Sequence, residues 1–80
     1  MFTSRSVAER NWTAAIYEVA ASYPRLRLSG WIDWARTRNQ AMATLIDSTG
    51  AAGHVFADRK LARAEMAARL RSAAEAMTSR

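Results

Sequence analysis

The sequence predicts an all-α fold, a small three-helix bundle with helices over about residues 7–23, 31–48 and 58–77 and an extended connector over 24–29. Three observations carry this expectation. Apolar residues recur at helical spacing in three separate stretches. Pro24 and the run Ser48-Thr49-Gly50-Ala51-Ala52-Gly53 cut the chain between those stretches. Eighteen of the 80 residues are alanine, the strongest helix former. One domain, residues 1–80, is expected, near the lower size limit for a fold without disulfides or metal.

The first helix has the clearest pattern. At about 100° per residue, Ala8, Trp12, Ala15, Ile16, Val19 and Tyr23 fall on one stripe, with Asn11, Glu18 and Ser22 beside it. Ser6 and Glu9 have capping-box spacing, which predicts Ser6 as the N-cap. Pro24 then stops the helix, because it lacks an N–H and pushes the residue before it out of α conformation.

Arg25-Leu26-Arg27-Leu28 alternates basic and apolar side chains. With no second alternating run in view to pair with it, it reads as the extended connector, tucking Leu26 and Leu28 beneath the bundle. The second helix is expected to begin after Ser29 or Gly30. Trp31, Trp34, Ala35, Ala41, Met42, Leu45 and Ile46 would share its apolar face, with Arg38 projecting from the middle, and Gly50 would be its left-handed cap. The third helix is expected to start at Asp58 as N-cap, with a stripe of Ala62, Met66, Leu70, Ala73 and Met77. Leu61, Ala64 and Ala68 lie nearly opposite, on a face that is either solvated or open to a partner. Trp12, Trp31 and Trp34 are expected to dominate the core, since a buried aromatic removes roughly 150–250 Å² from water.

Composition excludes several classes. There is no cysteine, so disulfides and thiolate metal sites are ruled out. No stretch approaches the roughly 18 consecutive apolar residues of a membrane span. The first residues, Met1 to Arg5, lack the apolar run of a secretory leader, so a cytoplasmic protein without membrane association is expected. His54, the only histidine, is expected in a loop without acid or base partners. The seven carboxylates are scattered, and Gly50-Ala51-Ala52-Gly53 has the wrong spacing for a phosphate loop. A protein that is not an enzyme, with no cofactor and no metal, is the expectation.

Binding is the function the charges suggest. The net charge is +5, and eleven of the twelve basic residues are arginine. A GC-rich coding sequence enriches arginine and alanine together, so the purpose of the charge depends on where the arginines lie. The planar guanidinium fork suits carboxylate and phosphate. Arg25, Arg27, Arg36 and Arg38 bracket Trp31 and Trp34, the mixture of cations and aromatics used to hold phosphates and stack bases. Arg59, Lys60 and Arg63 form a second group, within one turn of the third helix, with Arg69 and Arg71 beyond. The candidate binding residues are therefore Arg25, Arg27, Trp34, Arg36, Arg38, Arg59, Lys60 and Arg63, with nucleic acid or an acidic protein surface as partner. A helix-turn-helix aligned on Gly50 fails at Ile46, Thr49 and Gly53.

Arg38 on an apolar face beside Trp34, Met42 and Leu45 also has the composition of a protein-binding hot spot. The alternative is thus a small inhibitor or adaptor of phage or mobile-element type, acting on host nucleic-acid machinery as anti-CRISPR proteins do, an analogy of size and architecture. Homodimerisation would add buried surface to so short a chain.

Overall fold

The computed structural model describes residues 4–36 and 38–79, and it overturns the all-α expectation. The chain runs α1 (Arg5–Ser22), β1 (Arg27–Asp33), β2 (Gln40–Ile46), β3 (Ala52–Asp58) and α2 (Arg63–Thr78). The strands form one antiparallel sheet in the order β1-β2-β3. Both helices pack on the same face of it, α1 over β1 and α2 over β3. This is an α+β two-layer domain, not a helical bundle. Residues 1–3, on which the leader reading partly rests, lie outside the described residues. No helix among the described residues is long and apolar enough to cross a membrane.

The outer segments are helical as their periodicity says, but in the third the buried stripe is shifted: Ala62, expected on it, is exposed, and Leu61, expected opposite it, packs against the core. In α1, Ala8, Trp12, Ala15 and Val19 are buried, and Ile16 and Tyr23 pack against the same core. The N-cap is Ser4, two residues earlier than expected, and its hydroxyl oxygen accepts the Val7 N–H at 3.3 Å. In α2, Met66, Ala67, Leu70, Ala74 and Met77 are buried, while Ala64 and Ala68 are exposed. Asp58 is not the N-cap; it ends β3 and its carboxylate accepts the Lys60 N–H at 2.8 Å. The helix starts at Arg63, where Glu65 accepts the Ala62 N–H.

The middle segment is where the helix expectation fails. The stretch expected to be one helix over 31–48 is the end of β1, a loop and all of β2, and the expected connector supplies the start of β1. In β2 the inward residues are Ala41, Ala43 and Leu45, and the outward residues Met42, Thr44 and Ile46 are half-buried. Apolar residues on both faces erase the alternation that marks a half-buried strand. Alanine at two inward positions adds a spurious helical signal. Gly50 is left-handed as expected (φ 87°), but it closes a hairpin rather than a helix. Asp47 and Ala51 flank that turn, and the Asp47 carboxylate accepts the Thr49 and Ala51 N–H groups at 2.9 and 3.0 Å.

Register assigns the faces. Leu28, Leu45 and Gly53 align across the sheet, as do Gly30, Ala43 and Val55, and Ile32, Ala41 and Ala57. These three rows face the helices. Seven of the fifteen buried apolar residues are alanine, so small side chains let the helices sit close to the sheet. The tightest approach is at Gly30. Trp12 lies over it and donates its indole N–H to the Met42 carbonyl at 3.0 Å. A Cβ on residue 30 would stand 2.7 Å from Trp12 Nε1 and 3.2 Å from the Met42 oxygen, and would collide with Ile16 Cδ1.

Of the three tryptophans expected in the core, only Trp12 is there. Trp31 is 48% exposed on the opposite face of the sheet, and Trp34 is half-buried in the β1–β2 loop.

Gly30→Ala is expected to destabilise the fold by about 1–3 kcal/mol through overpacking against Trp12 and Ile16. Gly53→Ala should cost less, because its new methyl would meet only the flexible Met77 thioether, at 3.0 Å. Urea denaturation of both variants checks this, and equal losses would show that the Gly30 approach is not the tight one.

Candidate functional site

The β register brings two connections to one end of the sheet. Asp33, Gln40 and Asp58 align across the three strands, so the β1–β2 loop and the β3–α2 connector leave from the same edge. The first connection carries Trp34, Arg36 and Arg38, and the second carries Arg59 and Lys60. The start of α1 arrives there too. The Arg5 guanidinium carbon is 4.7 Å from the centroid of the Trp34 ring, and that of Arg59 is 5.8 Å from it. Trp34 is thus the aromatic hub of a basic end built from three parts of the chain.

The loop's form follows from its residues. The Asp33 carboxylate accepts the Ala35 N–H at 2.8 Å, which turns the chain out of β1. Asn39 is left-handed (φ 47°), a conformation asparagine tolerates better than most residues, and it turns the chain into β2. Arg38 does not project from an apolar helix face; it is an exposed loop residue, 3.9 Å from Asp33. The surroundings expected for it, Met42 and Leu45, belong to β2, with Leu45 facing the helices.

The acids of this end are occupied locally, Asp33 by its turn and Arg38, Asp58 by the Lys60 backbone. Arg5, Arg36 and Arg59 have no ion-pair partner among the described residues. A guanidinium against an indole face is attracted by the ring quadrupole, by about 0.5–1 kcal/mol at an exposed site. Neither Arg5 nor Arg59 is paired with an acid among the described residues, so their guanidinium N–H groups are available to a phosphate or carboxylate.

The remaining expected binding residues lie elsewhere. Arg25 and Arg27 are exposed at the opposite end of the sheet, where Arg25 borders Asp47, Met77 and Thr78. Arg63 is separated from Arg59 and Lys60 by its engagement with Glu18 of α1, which Arg71 also holds, at 3.1 Å. That pairing is internal and joins the two helices. The hydrogen bond from Arg71 holds the Glu18 carboxyl below its ordinary value of 4.5, with the charge and hydrogen bond of Arg63 adding to it against a partial desolvation. Arg69 leans back to the Phe56 carbonyl at 3.4 Å.

Two features escaped sequence reasoning. Arg5 joins the site from 29 positions away, a proximity with no local signal. His54 is not in a loop; it is exposed on β3, with Nδ1 3.3 Å from Thr44 Oγ1. Among the described residues no three His, Asp or Glu side chains are grouped as metal ligands.

No known protein family, curated protein or solved structure matches the chain.

Because the folded state favours ionised Glu18, its contribution is present above the ordinary carboxyl value and is lost as pH falls through the lowered one. Wild type should be more stable than Glu18→Gln at neutral pH, and the difference should close as pH drops below 4.5. Urea midpoints measured across that range check it; a gap that does not change with pH would remove the ion cluster as its cause.

Proposed function

We propose that this chain is a non-catalytic binding module that grips the phosphate backbone of a nucleic acid through its Trp34 end. The observation that carries the reading is the pair of guanidiniums, Arg5 and Arg59, whose central carbons lie 4.7 and 5.8 Å from the centroid of one indole ring and which pair with no acid among the described residues. Arg36 and Arg38 extend the same positive end. Contact with the indole restrains two otherwise mobile side chains, so part of the entropy of fixing them is lost on folding rather than on binding. The net charge of +5 adds long-range attraction for a polyanion. Such a role is exercised in the cytoplasm, where nucleic acid is at hand.

Nucleic acid is favoured over an acidic protein surface because repeated phosphates match several separate guanidiniums at once. The inhibitor alternative leaned on Arg38 centred among core-facing apolar residues, and that setting is absent from the fold.

Binding to a mixed-sequence oligonucleotide should weaken steeply with salt, log K falling by about 0.7–0.9 per phosphate contacted. Arg36→Glu and Arg59→Glu should each lower affinity and reduce that slope by about 1. Arg25→Glu, at the far end, should change little. Fluorescence anisotropy titrations read all three; no binding at low salt removes the proposal.

A further inference from the structure

The face of the sheet turned away from the helices is open and ordered into rows. From the far end toward the basic end these are Arg27, Ile46 and Ala52; Ser29, Thr44 and His54; Trp31, Met42 and Phe56; and Asp33, Gln40 and Asp58. The third row is unusual for a solvent-facing surface. Trp31 and Phe56 are 48% and 50% exposed, one on each edge strand, with half-buried Met42 between them. They are two of the three large apolar side chains the described residues leave exposed. With strands about 4.7–4.9 Å apart, the two aromatic positions stand about 10 Å from each other.

We infer that this row is a base-stacking platform and that the nucleic acid is single-stranded. The inference rests on the proposed phosphate-binding role of the Trp34 end. Three observations favour this occupant. The first is continuity: a depression between α1 and the β1 edge is lined by Trp31 and Trp34, with Glu9 and Thr13 of α1, and so connects the platform to the guanidinium cluster. The second is composition. Every base has a π-face that an aromatic side chain can cover, and the neighbouring row offers Ser29, the Thr44 hydroxyl and the His54 ring as hydrogen-bonding groups for base edges. The third is area. Three strands of seven residues present a face of about 15 by 23 Å, or about 350 Å², well below the roughly 800 Å² per partner of a standard protein interface. A second copy would gain too little from this face alone. A strand of nucleic acid needs only the two rings, while its charge is met at the adjoining end. A duplex cannot use the platform, because its bases are already stacked and paired.

The test compares a labelled oligothymidylate of about 12 nucleotides with a hairpin duplex of similar charge, by anisotropy at two salt concentrations. Wild type should bind the single strand at least about tenfold more tightly. Trp31→Ala and Phe56→Ala should each lower single-strand affinity by about 5- to 150-fold, leaving duplex binding and the salt slope unchanged. Phe56→Leu, which keeps apolar bulk and removes the ring, should behave like Phe56→Ala, and Trp31→Phe should recover most of the loss. Matching circular dichroism and thermal melts certify that the variants are folded.

Single-strand affinity unmoved by these variants but reduced by Arg59→Glu would overturn the platform and leave the phosphate role standing. Failure of the wild type to bind either probe would overturn both. Sedimentation equilibrium giving a dimer that Phe56→Ala dissociates would overturn the inference in favour of a second copy on this face.

Discussion

The contact on which the arrangement depends is Trp12 lying across Gly30. One bulky ring from α1 spans β1 and donates to the carbonyl of Met42 in the central strand, a bond possible only because residue 30 has no side chain. This seats the helix layer on the sheet and determines which face of β1 is inward. Side chains alternate along a strand, so Gly30 facing the helix obliges Trp31 to face away from it. The exposed aromatic row and the buried tryptophan are therefore two outcomes of one packing decision. The buried alanines of β2 and the helices serve the same close approach, filling the interlayer space without pushing the layers apart.

Charge is distributed around this frame with a clear division of labour. Glu18 takes two arginines of α2 and joins the helices, so Arg63 and Arg71 act inside the protein. Asp33 and Asp58 are drawn into the geometry of the turns they begin. What remains outward is a basic end with an indole at its centre, beside a sheet face that carries two more aromatic rings. The formal excess of five positive charges matters less than this segregation, since the same residues spread evenly would grip nothing in particular.

The two terminal helices were legible because apolar residues recur in each at helical spacing, most clearly in α1, where Ala8, Trp12, Ala15 and Val19 are buried as its stripe requires. The sheet was not. Strand alternation is visible when one face is polar, but here Trp31, Met42, Ile46 and Phe56 occupy the outer face while alanine and glycine occupy much of the inner one. A small residue inside and a large one outside inverts the usual cue. Isolated strand signals were nevertheless present in Val55, in the β-branched Thr44 and Ile46, and in the Asn39 and Gly50 turn residues on either side of β2. For the site, Trp34 and its loop arginines could be named from spacing alone, whereas Arg5 could not, and Arg63 looked equivalent to Arg59 until Glu18 was seen to hold it.

By itself the amino-acid order determined the ends of the chain as helices, the strong arginine bias and the absence of thiol chemistry, because these are local or compositional properties. Only the tertiary structure decided that the middle of the chain is a sheet, which tryptophan is covered, and which guanidiniums have no acid beside them among the described residues. Those outcomes depend on pairings between residues 10 to 53 positions apart, such as Thr44 with His54 and Glu18 with Arg71. Neither member of such a pair carries a mark of the other in its own neighbourhood; what joins them is the energy of packing two layers together.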